Sequence, residues 1–290
     1  MKEAVKVLPK QKSDTKYRDT LIRTLFQDEK RAIELCNAVT GSEYAEDTDV
    51  QVCDLNNSLV WRYNDLAFAI DGKLLVMVEH QSTINPNLPV RFFSYLHDIL
   101  HTWFIRVDEL YDKGLHDIPE PEFFVLYNGS EPLQEKTLRL SDAYGGKRKS
   151  GLKKLELIVE IIDVNYTTGH EILQRSESLR GYSYLIDQIQ IGLKQGLTRD
   201  QAISTAIDLC IKEDVLSDFL LKNYAEVAKM INWEYNQEAE FNAIRREARE
   251  EGMNMIVKSF LQSGMSAEDI AKYSNLSLEV VESLRSGEDD

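Results

Sequence analysis

Asp65, Glu79 and Gln81 are the side chains whose types and spacing suit a reaction centre best. They lie in YNDLAFAIDGKLLVMVEHQST, residues 63–83. Leu66, Phe68 and Ile70 alternate with Ala67 and Ala69, and Asp71-Gly72 then supplies a dipeptide favoured in tight hairpins. The return run from Leu74 to Val78 is apolar on both faces, which predicts a central strand covered on both sides. A hairpin turning at Asp71-Gly72 brings Asp65 and Glu79 back to one end. Residues two apart on a strand share a face, so Glu79 and Gln81 point one way and His80 the other. Two converging carboxylates repel unless a cation or a proton lies between them, and an oxygen-rich site of that kind suits Mg²⁺. The plainer alternative is a pair of surface acids at strand ends.

Other residues offer chemistry of different kinds. His97, Asp98 and His101 spell HDxxH on an expected helix, so the two imidazoles share one face at a spacing that can bind a transition metal. The sequence names no third ligand, and packing among nearby aromatics is the alternative. Lys147, Arg148, Lys149, Lys153 and Lys154 form the densest basic patch, on a glycine-flanked loop suited to phosphate contact or simply to solvation. Arg91 can serve either as a phosphate contact or in a structural ion pair. Phe92, Phe93, Tyr95 and Trp103 read as core rather than as a base-stacking platform.

The elements that must position these residues follow from periodicity. Residues 17–39 predict an amphipathic helix stopped at Gly41, and residues 46–60 a strand and turn. Asn85-Pro86-Asn87-Leu88-Pro89 predicts a bridge in which the prolines oppose helix. A long helix is expected over about residues 90–111, burying Phe92, Phe93, Leu96, Ile99, Leu100, Trp103 and Val107. Residues 123–127 predict a buried strand closed by Asn128-Gly129, and residues 155–164 a further strand rich in isoleucine and valine.

Beyond Gly169 the periodicity is helical, over residues 178–193, 198–212, 215–231 and 237–251. The end of the chain predicts a helix stopped at Ser263-Gly264, a capped start at Ser266, and two short helices, 270–273 and 278–284, around a turn at Asn275. That pair resembles a helix-turn-helix, but its acids favour a structural or protein-binding role over DNA reading. The expected organisation is a mobile lysine-rich arm at 1–16, an α/β core at 17–168, a helical region at 169–251 and an acidic segment at 252–290.

Composition narrows the class. With 34 basic and 49 acidic side chains the formal charge is −15, which opposes nonspecific DNA binding and requires any nucleic-acid role to rest on local basic patches and bound metal. Cys36, Cys53 and Cys210 have no disulfide or zinc-ribbon spacing, which suits a reducing cytoplasm. No run approaches the roughly 18 apolar residues of a membrane span, and the first residues carry no apolar leader.

The ordered blocks are also familiar. Helix, strand, Asp-bearing strand, strand ending in Glu-x-Gln, helix and strand together resemble the PD-(D/E)XK nuclease superfamily. YRDTLIRTLF, YNDLAF, VEHQST, LPVRFFSYL and FFVLYNG are similar to the Rpn-type recombination-promoting nuclease or putative transposase family, over about residues 17–169. The resemblance implies a restriction-endonuclease-like core and metal-dependent hydrolysis of DNA, with Mg²⁺ or alternatively Mn²⁺. It places Asp65 and Glu79 as metal-binding acids, the backbone carbonyl of His80 as a further ligand, and Gln81 where the wider superfamily commonly has lysine. Asp19 matches a further family acid. The alternative is a nuclease-fold protein without catalysis that acts through protein contacts or homo-oligomerisation by its helical region.

Overall fold

The computed structural model describes residues 21–53, 65–106, 108–111, 113–145, 154–274 and 276–286. The lysine-rich arm and Asp19, most of the basic loop including Lys147, Arg148, Lys149 and Lys153, Val107, and the turn at Asn275 lie outside them. The chain forms two compact units, 1–232 and 233–290.

The first unit is a mixed α/β assembly around a six-stranded sheet. Its strands are β1 (Val50–Val52), β2 (Asp65–Ile70), β3 (Leu74–Gln81), β4 (Glu120–Tyr127), β5 (Thr137–Arg139) and β6 (Ile158–Asp163), in the spatial order β1-β2-β3-β4-β6-β5. β1, β2 and β3 run antiparallel as a meander, β3, β4 and β6 run parallel, and β5 pairs antiparallel with β6. A parallel β3–β4 pair needs a crossover, and the helix α3 (Leu88–Ile99) lies in it.

Both faces of the central strands are covered, as the two-sided apolar run of β3 requires. On one face Ala67, Ala69, Leu75, Met77, Phe123, Val125 and Tyr127 pack with Leu88, Phe92, Tyr95 and Ile99 of α3. On the other, Phe68, Val76, Val78, Phe124 and Leu126 are buried. The helices α1 (Leu21–Leu25), α2 (Glu29–Thr40) and α5 (Glu177–Lys194) also belong to this unit, after a short α4 (Ile172–Arg175). Glu34 of α2 accepts from the backbone N–H of Ser178 at 3.0 Å and from its hydroxyl at 2.7 Å, placing a carboxylate at the positive end of α5.

Several expected boundaries are corrected. The single helix expected over 17–39 is interrupted, because Asp28 leaves helical dihedrals (φ −73°, ψ 127°) to cap Arg31 N–H, and a second helix starts there. It ends as expected at Gly41, whose φ of 77° is the left-handed conformation of a helix stop. Pro89 does not oppose helix but occupies the first turn of α3, where a missing N–H costs nothing. The long helix ends as α-helix at Ile99 and widens into a π-helical turn over Leu100–Phe104. Its buried side is Phe92, Tyr95 and Ile99, whereas Phe93 and Trp103 are exposed, so only half of that aromatic series is core. The short edge strand β5 alternates exposed, buried, exposed over only three residues, too brief a run to mark a strand from sequence.

The helices α6 (Arg199–Lys212) and α7 (Ser217–Gln262) follow. Thr198 and Gln201 close a reciprocal capping box at the start of α6. The expected breaks near 231–237 and at 251–252 are absent from α7, which instead kinks at Asn223 (φ −120°, ψ 16°), where two helices meet. In the second unit Val257 of α7 packs with Ala267 and Ile270 of α8 (Ala267–Ser274) and Val281 of α9 (Leu278–Ser286). Gly264 (φ 89°) stops the first helix, and Ser266 Oγ accepts from Asp269 N–H at 3.1 Å to start the next. Among the described residues no helix is long and apolar enough to cross a membrane.

Candidate functional site

The hairpin decides where the acids meet. Asp71 and Gly72 both take positive φ (50° and 63°), as a primed turn requires, and Lys73 N–H donates to Ile70 O at 2.9 Å. From Ile70↔Leu74 the ladder runs without a bulge to Asp65↔Glu79. Positions paired directly across an antiparallel ladder share a face, so the backbone register puts Asp65 and Glu79 on one face at one strand end. The side chain of Asp65 lies outside the described set.

Glu79 is fully buried. Its Oε2 accepts from Gln81 Nε2 at 3.1 Å and faces Arg91 Nη2 at 3.1 Å. Alternation explains the first contact, since Gln81 is two residues on, and the first turn of α3 supplies the second. Arg91 is itself held by Tyr95, whose hydroxyl accepts from Arg91 Nε at 2.8 Å and whose ring lies 5.8 Å from the guanidinium carbon. A buried carboxylate costs several kcal/mol of solvation unless paired, and here a guanidinium and an amide offset that cost.

His80 faces the opposite side, as strand alternation demands. Its Nε2 is 2.9 Å from the hydroxyl of Tyr182 on α5, with the two rings edge to face, and Asn128 Nδ2 donates to the same hydroxyl at 3.4 Å. Burial lowers the imidazole to about pKa 4, with an Asn128 hydrogen bond acting weakly the other way, so His80 is neutral near pH 7. Glu79 and His80, consecutive on β3, thus sit in separate polar clusters, Glu79 on the α3 face and His80 on the α5 face.

The end of β3 is gripped by the turn after β4. Asn128 N–H donates to Gln81 O at 3.2 Å, and Asn165 Nδ2 donates to Gly129 O at 3.0 Å. A side chain at Gly129 would run into Ser82 O and the Tyr127 ring. Next to this junction, Ser82, Ile84, Tyr127 and Leu133 help line a cavity of about 250 Å³.

No protein-family model, curated protein or solved structure matches the chain. The site therefore stands on its own geometry.

Of the residues singled out from sequence, the structure gathers Glu79, Gln81 and Arg91, together with the backbone position of Asp65, and turns the His80 side chain away. Among the described residues no three His, Cys, Asp or Glu side chains converge on a common point. The side-chain oxygens described at this strand end belong to the Glu79 carboxylate and the Gln81 amide. These hard ligands fit Mg²⁺ or Mn²⁺, although a cation on Glu79 Oε2 must share that atom with Arg91 or displace it. Sequence reasoning offered an ion pair as one reading of Arg91 without naming Glu79 as its partner, and it missed the His80–Tyr182 contact. The first had a signal, because Arg91 and Tyr95 at i and i+4 share a helix face next to an acid-bearing strand. The second spans too much of the chain to leave one.

Proposed function

We propose that the chain is a Mg²⁺-dependent DNA endonuclease with a PD-(D/E)XK core of the Rpn-like type, linked to recombination or mobile elements. The observation carrying this reading is the pairing of Asp65 with Glu79 at the end of a central strand, with Gln81 hydrogen-bonded to Glu79. The succession α2-β1-β2-β3-α3-β4, three antiparallel strands and a fourth parallel to the third, supports the same core.

Asp65, Glu79 and the His80 carbonyl would hold the ion, which when bound supplies charge neutralisation at a scissile phosphate and acidifies a water. Gln81 orients a water or a phosphate oxygen through its amide but cannot supply the positive charge of a lysine. Arg91, about one-third exposed, has the reach and charge to meet phosphate from the same face. Lys147, Arg148 and Lys149 are proposed as additional DNA contacts. Cleavage of plasmid DNA by the full chain with Mg²⁺, abolished by EDTA and by Asp65→Ala, is the expected result. Cleavage that survives both treatments overturns the assignment.

One observation favours a second reading. Arg91 already neutralises Glu79, as expected of a structural acid, and a nuclease-fold protein working through protein contacts would keep that pair. Mg²⁺-independent binding of a protein partner, with no cleavage of any DNA or RNA substrate, would support it.

A further inference from the structure

The two histidines set aside by the proposed function sit where α3 gives way to the π-helical turn. His97 belongs to the last turn of α3 and His101 to the wide turn, and both are exposed. Their ring centroids are 4.5 Å apart with planes inclined by 58°. Among the described residues neither ring makes a hydrogen bond, so packing and polar partners do not account for their placement.

The π-helical turn opens at the C-terminal side of this pair. Ile105 N–H donates to Leu100 O at 2.8 Å, an i→i+5 bond that puts more residues into each turn. Such widened turns carry a cost in helical regularity and are frequent at functional sites. Between His97 and His101 the backbone keeps α-helical dihedrals at Ile99 (φ −66°, ψ −51°) and Leu100 (φ −57°, ψ −44°), so the ordinary i, i+4 spacing sets both rings on one face.

Imidazole nitrogen is a borderline donor that selects Zn²⁺, Ni²⁺ or Cu²⁺ over the hard Mg²⁺, and two histidines at i and i+4 are an established chelating unit on a helix. We propose that His97 and His101 form a two-imidazole site for a transition-metal ion of the Zn²⁺ class. The site is separate in chemistry and in sequence from the carboxylate pair at Asp65 and Glu79. No third His, Cys, Asp or Glu joins them among the described residues, which leaves the remaining coordination positions to water or to a further donor. The ion ties the last α-helical turn to the π-helical one, and because it binds only the helical arrangement of the rings, it raises the stability of that junction.

Isothermal titration of the metal-stripped full chain with Zn²⁺ and with Ni²⁺ tests the proposal, alongside His97→Ala, His101→Ala and the control pair His116→Ala/His170→Ala. Wild type and the control are expected to bind one equivalent alike, and each single substitution at 97 or 101 to weaken binding about tenfold or more. Zn²⁺ should raise the melting temperature of wild type but not of the His97→Ala/His101→Ala double variant, with circular dichroism showing that the helices persist. Undiminished binding by the double variant, no Zn²⁺ binding by wild type up to about 1 mM, or a loss of affinity in the control pair alone overturns it. Displacement of Zn²⁺ by an excess of Mg²⁺ would do the same, since hard and borderline sites would then be one.

Discussion

Arg91 Nη2 lies 3.1 Å from Glu79 Oε2, joining a guanidinium about one-third exposed to a carboxylate with no exposed surface. The pair links the first turn of α3 to the last turn-facing residues of β3, so it fastens the crossover helix to the strand it follows. The two partners are not equivalent, because only the acid is sealed from water.

Removing the guanidinium strands a buried charge, whereas neutralising the acid does not. Arg91→Ala should destabilise by about 2–4 kcal/mol in urea unfolding, less for Arg91→Lys, and Glu79→Gln should cost less than Arg91→Ala. Measured together as a double-mutant cycle, the two substitutions should show coupling, since the Arg91 deletion does little once Glu79 is an amide. Equal, additive losses would mean the pair contributes no stability.

A cation bound between Asp65 and Glu79 would stabilise only the folded chain. Free Mg²⁺ about a hundredfold above its dissociation constant adds about 2.7 kcal/mol, enough to raise the melting temperature measurably. The increase should disappear in Asp65→Ala. A Mg²⁺ response unchanged by that substitution would put the ion elsewhere.

Glu122 provides a pH-dependent test away from the site. Paired with Val76 in the β3–β4 ladder, it is raised above the ordinary carboxylate range, chiefly by desolvation and then by repulsion from Glu120 and Glu160. The same charge acts on buried Cys36 of α2, adding to the desolvation that pushes its thiol up. With its folded pKa above the unfolded one, ionised Glu122 costs stability at neutral pH. That cost is relieved as pH falls through the folded pKa and is gone below the unfolded value. Glu122→Gln should therefore unfold at higher urea than wild type at pH 7.5, with the difference closing toward pH 4.

Gly129 is constrained by space rather than by its dihedral angles. Gly129→Ala forces a methyl against the Ser82 carbonyl and the Tyr127 ring, and backbone must move to make room. A loss of about 1–3 kcal/mol is expected from overpacking. If the strand end shifts with it, Mg²⁺ affinity at Asp65 and Glu79 should fall as well. A fully stable variant with altered Mg²⁺ response would separate site geometry from stability.

What the sequence discloses about this fold is what local physics determines. Asp71-Gly72 sets the hairpin, and the alternation that follows assigns Glu79 and Gln81 to one face and His80 to the other. The two-sided apolar run of β3 foretells burial on both faces. Local propensity does not show where a continuous periodicity will break, so Asp28 interrupting the first helix and Leu100 opening the π-helical turn both went unread. Nor does it decide which of two adjacent aromatics faces in: Phe92 is core and Phe93 exposed because α3 has only one face toward the sheet. The partners of Glu79 and His80 come from α3 and α5, and such contacts exist only once the layers assemble.

β3 presents an acid to one layer and an imidazole to the other at consecutive positions. A slip of one residue against its neighbours would exchange them, setting His80 beside Arg91 and sliding Glu79 toward Tyr182. The first arrangement puts a ring that cannot neutralise a guanidinium next to one, and the second buries a charge beside a phenol. Register in this strand is thus enforced by ionic matching as well as by side-chain packing, and a chain that mispairs during folding meets an electrostatic penalty at the place where the acids must converge.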